Sequence, residues 1–324
     1  MKKVLSLVLV LCMVLGMSVS AFAADATVNS YEEFKNAVES TDVDKIILAE
    51  DIMITDDTKL TISKAVNIDL NNHTLTLHTK ENDTCLIIKG ETAFSNGNIV
   101  LSTEASSCGT GNGTFSVYAQ LSFSKVNLSS TEFAAYSVFF MKNNDASLAF
   151  AQCDISLKNN KYSGSIMYTN GTDNSATFTE TNIVAENLGP IFVYGDIEMT
   201  NESSITVSNS GNVFNRSDVA IDNSAVDLSD CHGRGFTLDG NTVTITNSTV
   251  TIDNMSEGGV MFKSTGDTFS ADDTSVVNIS NCTTENGDNA SFVDDTDKSA
   301  INPSSGTYNE NTIQHIQYID NTSH

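Results

Sequence analysis

The densest set of chemistry-bearing residues in this chain is Asp230-Cys231-His232-Gly233-Arg234-Gly235, with Asp239 close behind. It brings carboxylates, an imidazole and a guanidinium together in one short stretch. General acid–base catalysis asks for such a set: a group to take a proton, a group to return it, and a cation beside the developing charge. Asp230, His232, Arg234 and Asp239 are therefore the candidate catalytic residues. The stretch also has a plainer reading, in which Gly233 and Gly235 turn the chain and Arg234 pairs with a neighbouring acid. Asp272-Asp273 is a second carboxylate pair, but on so acidic a chain paired acids are ordinary surface.

Other motifs fall short of a site. His73 and His78 lie five apart across a turn and a strand, which does not make a ligand pair. Asp295 and Asp297 open like a calcium loop, but Ala300 stands where that loop needs Gly. No motif requires a cofactor; stacked Asp on an acidic face is compatible with weak Ca2+ binding. Tyr118, Tyr136, Tyr162, Tyr168 and Tyr194 could stack against sugar rings, or could serve the core and its edges. Thr244 and Thr246 form the Thr-x-Thr of an ice-binding face, but Ala220 and Asp222 break that array one coil earlier.

Charge narrows the partners. The chain carries 16 basic and 41 acidic residues, a formal net charge of −25. Lys2 and Lys3, the apolar run from Val4 to Met17 and Ala21-Phe22-Ala23 have the form of an export signal cleaved after Ala23. Cleavage leaves 14 basic groups against 41 acidic ones, a net of −27. Such a charge repels anions, so nucleic acid and anionic lipid are not expected partners. The apolar run is shorter than the ~20 residues a membrane span needs. The expected protein is secreted, either free or loosely associated with the cell surface, monomeric and not inserted in a membrane. Five cysteines remain after cleavage: Cys85, Cys108, Cys153, Cys231 and Cys282. An odd, scattered set is no disulfide framework. Cys85 and Cys108 lie about one repeat apart and could bridge; otherwise all five read as small buried thiols.

The elements that must position these residues follow from periodicity. Asn241 to Asn254 holds two short strands of period two, Val243/Ile245 and Val250/Ile252, joined at Asn247-Ser248. The figure recurs at Val126, Ile155, Ile183, Ile205, Val226, Val250 and Val277, about 25 residues apart. Most of these positions have an apolar pair upstream, such as Leu148/Phe150, and a further apolar run downstream, such as Ile166-Met167-Tyr168. Each turn therefore carries three strands, with Asn at the corners: Asn159-Asn160, Asn209, Asn223, Asn247, Asn254 and Asn281. One coil cannot bury its own inward face, so coils must stack into a solenoid. A β-sandwich is the competing architecture, supported by Asn-Gly pairs such as Asn96-Gly97. Ahead of the strands, Asn29 to Ser40 reads as an amphipathic helix, with Ser30 and Glu33 forming a capping box.

The helix followed by Lys45 to Ile52 and by Val66-Asn67-Ile68-Asp69-Leu70-Asn71-Asn72-His73-Thr74-Leu75 resembles the opening of bacterial pectin-lyase-like proteins. The motif match covers about the first 80 residues after the leader; beyond them only the period matches. The resemblance implies an all-β, single-stranded right-handed parallel β-helix with an N-terminal capping helix. With the leader, helix and strand pattern read above, the chain divides into a signal peptide (1–23), a capping-helix region (24–44), the β-helix (45–293) and a C-terminal cap and tail (294–324). The resemblance also implies contact with carbohydrate along an outer groove. The catalytic motifs of the known enzymes, Gly-His-Gly and Arg-x-Lys, are absent. The expected function is therefore a non-catalytic, adhesin-like contact with an extracellular polysaccharide or a cell-surface or host glycoprotein. The alternative is a polysaccharide lyase or glycoside hydrolase.

Overall fold

In strand Thr249–Asp253, Val250 and Ile252 are buried while Thr249 faces solvent. The coil before it, Ala225–Ser229, does the same with Val226 and Leu228, and the two strands pair in parallel with Val226 opposite Val250. Repeating this step builds the molecule. The structure, a computed structural model, describes residues 24–80, 84–104, 113–130, 132–160, 164–170, 173–264, 266–294, 300–302 and 306–308. The leader, Cys108, Tyr162 and the Asp295 and Asp297 pair lie outside the described residues.

The chain forms a parallel β-solenoid of about ten turns, with strands arranged in three ladders. Ladder I runs from Ala24–Val28 through Ser147–Ala151, Ser175–Thr179, Asp196–Thr200, Val219–Asp222 and Thr242–Thr246 to Thr268–Ala271. Ladder II runs from Ile52–Thr55 through Thr74–Thr79 to Val276–Ser280. Ladder III runs from Leu60–Ile62 through Ser137–Met141 and Ser165–Thr169 to Phe292–Asp294. At the far end two antiparallel strands, Ala300–Asn302 and Gly306–Tyr308, pair onto ladders III and II. The parallel pairing excludes the sandwich.

Stacked coils put like residues over like. Phe94, Phe123, Phe150 and Phe178 stack along ladder I, with ring centroids 5.6, 4.8 and 5.2 Å apart. Phe192, Phe214 and Phe236 do the same along ladder III, at 5.5 and 4.8 Å. These spacings follow the ~4.8 Å between neighbouring strands, and each aromatic contact adds about 0.5–1.5 kcal/mol beyond burial.

Two sequence expectations need adjusting. Ile155 lies opposite Leu128, not Val126, so the first repeat interval is 27 residues. The ladders also begin earlier than Lys45, because Ala24–Val28 already pairs with Val43–Leu48. The helix spans Tyr31–Glu39. Ser30 Oγ accepts the Glu33 N–H at 3.3 Å, and the Glu33 carboxylate accepts the Asn29 N–H at 3.0 Å. Phe34, Ala37 and Val38 are buried, and the helix packs against the strands of the first coil. Carbonyls at its C-terminal end are met from outside the helix: Lys64 Nζ donates to those of Ala37 and Ser40, and also to that of Val43 in the strand that follows.

The corners explain the asparagines. Asn159, Asn209, Asn223, Asn247, Asn254 and Asn281 all hold left-handed backbone, which Asn tolerates. Their amides also bond along the column: Asn187 to Asn159 at 2.7 Å, Asn247 to Asn223 at 3.0 Å. Asn160, beside the first of these, is buried and donates to the Ala135 carbonyl at 2.9 Å.

Candidate functional site

The Asp230 to Asp239 stretch occupies a corner and the short ladder III strand Phe236–Thr237. Asp230 is exposed, holds left-handed backbone and accepts the Asn254 amide at 2.6 Å. His232 is exposed, and its N–H donates to the Ser210 carbonyl at 2.7 Å. The Arg234 side chain is only 11% exposed and pairs with Glu257 at 3.0 Å and Glu285 at 2.8 Å. Asp239 follows the strand and pairs with Arg216 at 3.2 Å, accepting also from Ser264 at 2.9 Å. Among the described contacts, none joins one of the four candidates to another. Arg234 pairs with neighbouring acids, as the plainer reading has it. Gly233 and Gly235 both lie at bends of the chain, as that reading has it, though neither has a left-handed backbone. A Cβ at Gly233 would overlap the Asn212 side chain, whose Oδ1 accepts the Arg234 N–H at 2.8 Å. Gly233 allows close approach of two coils.

Asp273 is exposed, and Asp272 serves the fold. Asp272 accepts the Ser275 hydroxyl at 2.6 Å, the Thr274 hydroxyl at 3.0 Å and the Asn247 N–H at 3.2 Å. Among the described residues, no group of three or more His, Cys, Asp or Glu is placed to hold a metal ion. Cys85, Cys153, Cys231 and Cys282 are buried. Burial pushes the Cys153 and Cys282 thiols up to about 11 and raises Cys231 as well, so they stay protonated and unreactive.

The tyrosines, in contrast, converge. Tyr136, Tyr168 and Tyr194 are half-buried on the outer side of ladder III. Their ring centroids lie 5.1 Å apart (Tyr136 to Tyr168) and 6.0 Å apart (Tyr168 to Tyr194). Phe140, fully buried, stacks on Tyr168 at 5.3 Å. Arg216 Nη1 donates to the Tyr194 hydroxyl at 3.1 Å, and Asp239 holds the same guanidinium. Tyr194 stands at φ +62°, a left-handed conformation that a bulky residue adopts at a cost of about 1–3 kcal/mol. Arg216 holds the same left-handed conformation, φ +57°, at the equivalent place one coil later, so this is a recurring corner of the solenoid. Tyr118 lies apart from the column, with Lys89 over its ring at 5.9 Å.

A second surface feature was not legible in the sequence. A groove of about 630 Å3 crosses the outer side of ladder I. Its floor is the row Ala149, Thr177, Glu198, Ala220, Thr244, one residue per coil and in register. Its rim holds Asp145, Asp173, Asp196 and Asp218. Short side chains at Ala149 and Ala220 leave the depth. Burial, then the charges of Asp218 and Asp173, raise the Asp196 carboxyl above its ordinary 3.8. These acids sit in different coils at unequal sequence intervals, so no local motif marks them. The described residues lining the groove include no Lys, Arg or His.

Fold and surface together define a class: a parallel β-solenoid with an acidic outer groove on one side and a tyrosine column on another. No family model, no curated protein and no solved structure matches this chain. Among the described residues, no helix is long and apolar enough to cross a membrane.

Proposed function

We propose that this is an exported glycan-contacting protein of the pectin-lyase-like type, which binds a polysaccharide or a cell-surface glycoprotein without cleaving it. The observation that carries this reading is the Tyr136–Tyr168–Tyr194 column. A pyranose offers an apolar face and a hydroxyl edge, and tyrosine matches both with its ring and its polar tip. Rings repeating at 5 to 6 Å and packed edge to face, at 62° and 90°, make an amphipathic strip on which a linear polymer can lie. A net charge of −27 once Lys2 and Lys3 leave with the leader (14 basic against 41 acidic groups) disfavours polyanionic glycans, so the expected partner is neutral. The test is a glycan array, followed by titration of the best hit against the parent and Tyr168→Ala. The central ring of such a column should carry about 1.4 kcal/mol or more, a loss of at least tenfold in affinity. An array without hits, or unchanged affinity in Tyr168→Ala, would overturn the reading.

One observation favours a glycoside hydrolase as the second reading. In the groove, Asp196 is held toward its protonated form beside Asp173 and Asp218. A carboxyl that holds its proton more tightly than the ionised carboxylates beside it has the bias that the acid of a glycosidase pair needs. Reducing ends released from neutral polysaccharides, with and without calcium, and lost in Asp196→Asn, would replace the binding reading with this one.

A further inference from the structure

Ladder II carries a cluster that the binding reading leaves unused. Thr55, His78 and Ser102 lie in register on three successive coils, at the ends of Ile52–Thr55, Thr74–Thr79 and Thr92–Thr103. Ser102 Oγ is 2.9 Å from His78 Nδ1. On the other side of the ring, His78 Nε2 is 3.6 Å from Glu104 Oε1. The His78 side chain is 20% exposed, so the ring is held, while Glu104 is 64% exposed. Ser102 is half-buried. Lys80, two residues beyond His78, pairs with Asp57 at 3.0 Å and lies within electrostatic reach of Glu104. One corner of the solenoid therefore holds a hydroxyl, an imidazole, a carboxylate and an ammonium.

We propose that Ser102, His78 and Glu104 form a nucleophile, base and orienting acid that cleave a carboxylic ester. The connectivity is that of a serine hydrolase, recognised by geometry and role and not by sequence order. Glu104 fixes the imidazole tautomer: the proton sits on Nε2, facing the carboxylate, and Nδ1 is left to accept from Ser102 Oγ. The separation of 3.6 Å is longer than a hydrogen bond, as catalytic contacts often are before substrate arrives.

The chemistry balances with water as the only co-reactant. Ser102 Oγ bonds to the ester carbonyl carbon, its proton passes to His78 Nδ1, and the carbonyl π electrons move to oxygen. The carbon–oxygen bond to the leaving group then breaks, and the alcohol departs with the proton from His78. Water attacks the acyl-serine, giving its proton to His78. Collapse releases the acid and returns the proton to Ser102. Lys80 supplies positive charge at the same corner. Ladder backbone N–H groups are engaged between strands, so turnover should be slow and acylation easier to detect than steady-state hydrolysis.

The probe is a fluorophosphonate, which loses fluoride as its phosphorus bonds to Ser102 Oγ. The full-length protein is labelled and the modified peptide identified by mass spectrometry. The expected result is an adduct on Ser102 in preference to the many other serines. Its labelling rate should fall at least tenfold in His78→Gln, since a positioned base contributes about 10²–10⁴-fold. Glu104→Gln, at an exposed position, is the second variant and should slow labelling several-fold with an unchanged melting curve. That combination separates orientation from folding if His78→Gln proves unstable. No adduct at Ser102, labelling spread evenly over surface serines, or parent-like rates in Glu104→Gln would overturn the proposal. The result is independent of glycan binding, because the tyrosine column lies on ladder III.

Discussion

At the scale of single residues, Asp196 is where the acidic surface makes itself felt. It is exposed at the rim of the groove but crowded by like charges, and partial desolvation, then Asp218 and Asp173, disfavour its ionised form. Its folded-state value is therefore raised, and the sign follows. At pH 7 the carboxylate is ionised in both states, and folding bears the penalty. As pH falls the folded protein takes up the proton first, so the penalty shrinks. Below the ordinary 3.8 both states are protonated and the penalty is gone. Asp196→Asn is expected to stabilise the protein at pH 7 by about 0.5 kcal/mol, a figure discounted for solvent screening at a partly exposed site. Denaturant titrations at pH 7 and near pH 3 check this: the gain should be present at the first and absent at the second. A gain of equal size at both would mean that packing, not charge, is responsible.

Between residue and fold stands the corner column that follows ladder I. After each left-handed corner residue comes a small inward one, Cys153, Thr181, Ser203, Ser224 and Ser248, and Ser275 holds the same place after the turn at Asp273 and Thr274. Their hydroxyls accept N–H groups from the preceding coil: Thr181 to Ser203 at 3.2 Å, Ser224 to Ser248 at 3.0 Å, Ser248 to Ser275 at 3.1 Å. Each also donates within its own coil, as Ser248 does to the Thr246 carbonyl at 2.6 Å. Ser248→Ala would strip the buried Ser224 N–H of its partner, at a cost of about 1–3 kcal/mol. Ser248→Cys should cost less than half of that, because Cys153 already fills the equivalent place and bonds the Ala151 carbonyl at 3.4 Å. Urea midpoints of the two variants decide it, and equal losses would show that volume governs the site. This column also explains what the sequence made visible. Ile155 through Val277 stack as their spacing implies, since each follows its corner by the same short step. Val126 misled because it holds the Cys153 place in its coil, where valine interrupts the small polar series; Leu128 is the true rung. Ala24–Val28 was missed because two of its residues are alanine and only Val28 is buried. The groove was illegible for a related reason: its acids are neighbours across coils, and neither period nor motif ties Asp145 to Asp218.

At the scale of the whole molecule, ten turns at ~4.8 Å give a rod on the order of 50 Å long, carrying a net charge of −25. Described ion pairs such as Lys158 to Glu186 and Arg216 to Asp239 offset only a few of the 41 acids. Stacking is what concentrates the charge: residues about 25 apart in sequence come within one strand spacing, well inside the ~10 Å over which 0.1 M salt screens. Folding must therefore work against self-repulsion that the unfolded chain, being expanded, feels far less. Raising NaCl from about 0.02 M to about 0.5 M should lift the melting temperature by several degrees, and the advantage of Asp196→Asn at pH 7 should shrink in step. A flat or falling melting temperature would mean that local pairing already neutralises the columns. The same repulsion acts on partners. Binding through the tyrosine column to a neutral glycan should be nearly independent of salt, whereas a polyanion could approach only once the field is screened. Titrating the best array hit across this salt range therefore reads the charge of the partner from the protein's own electrostatics.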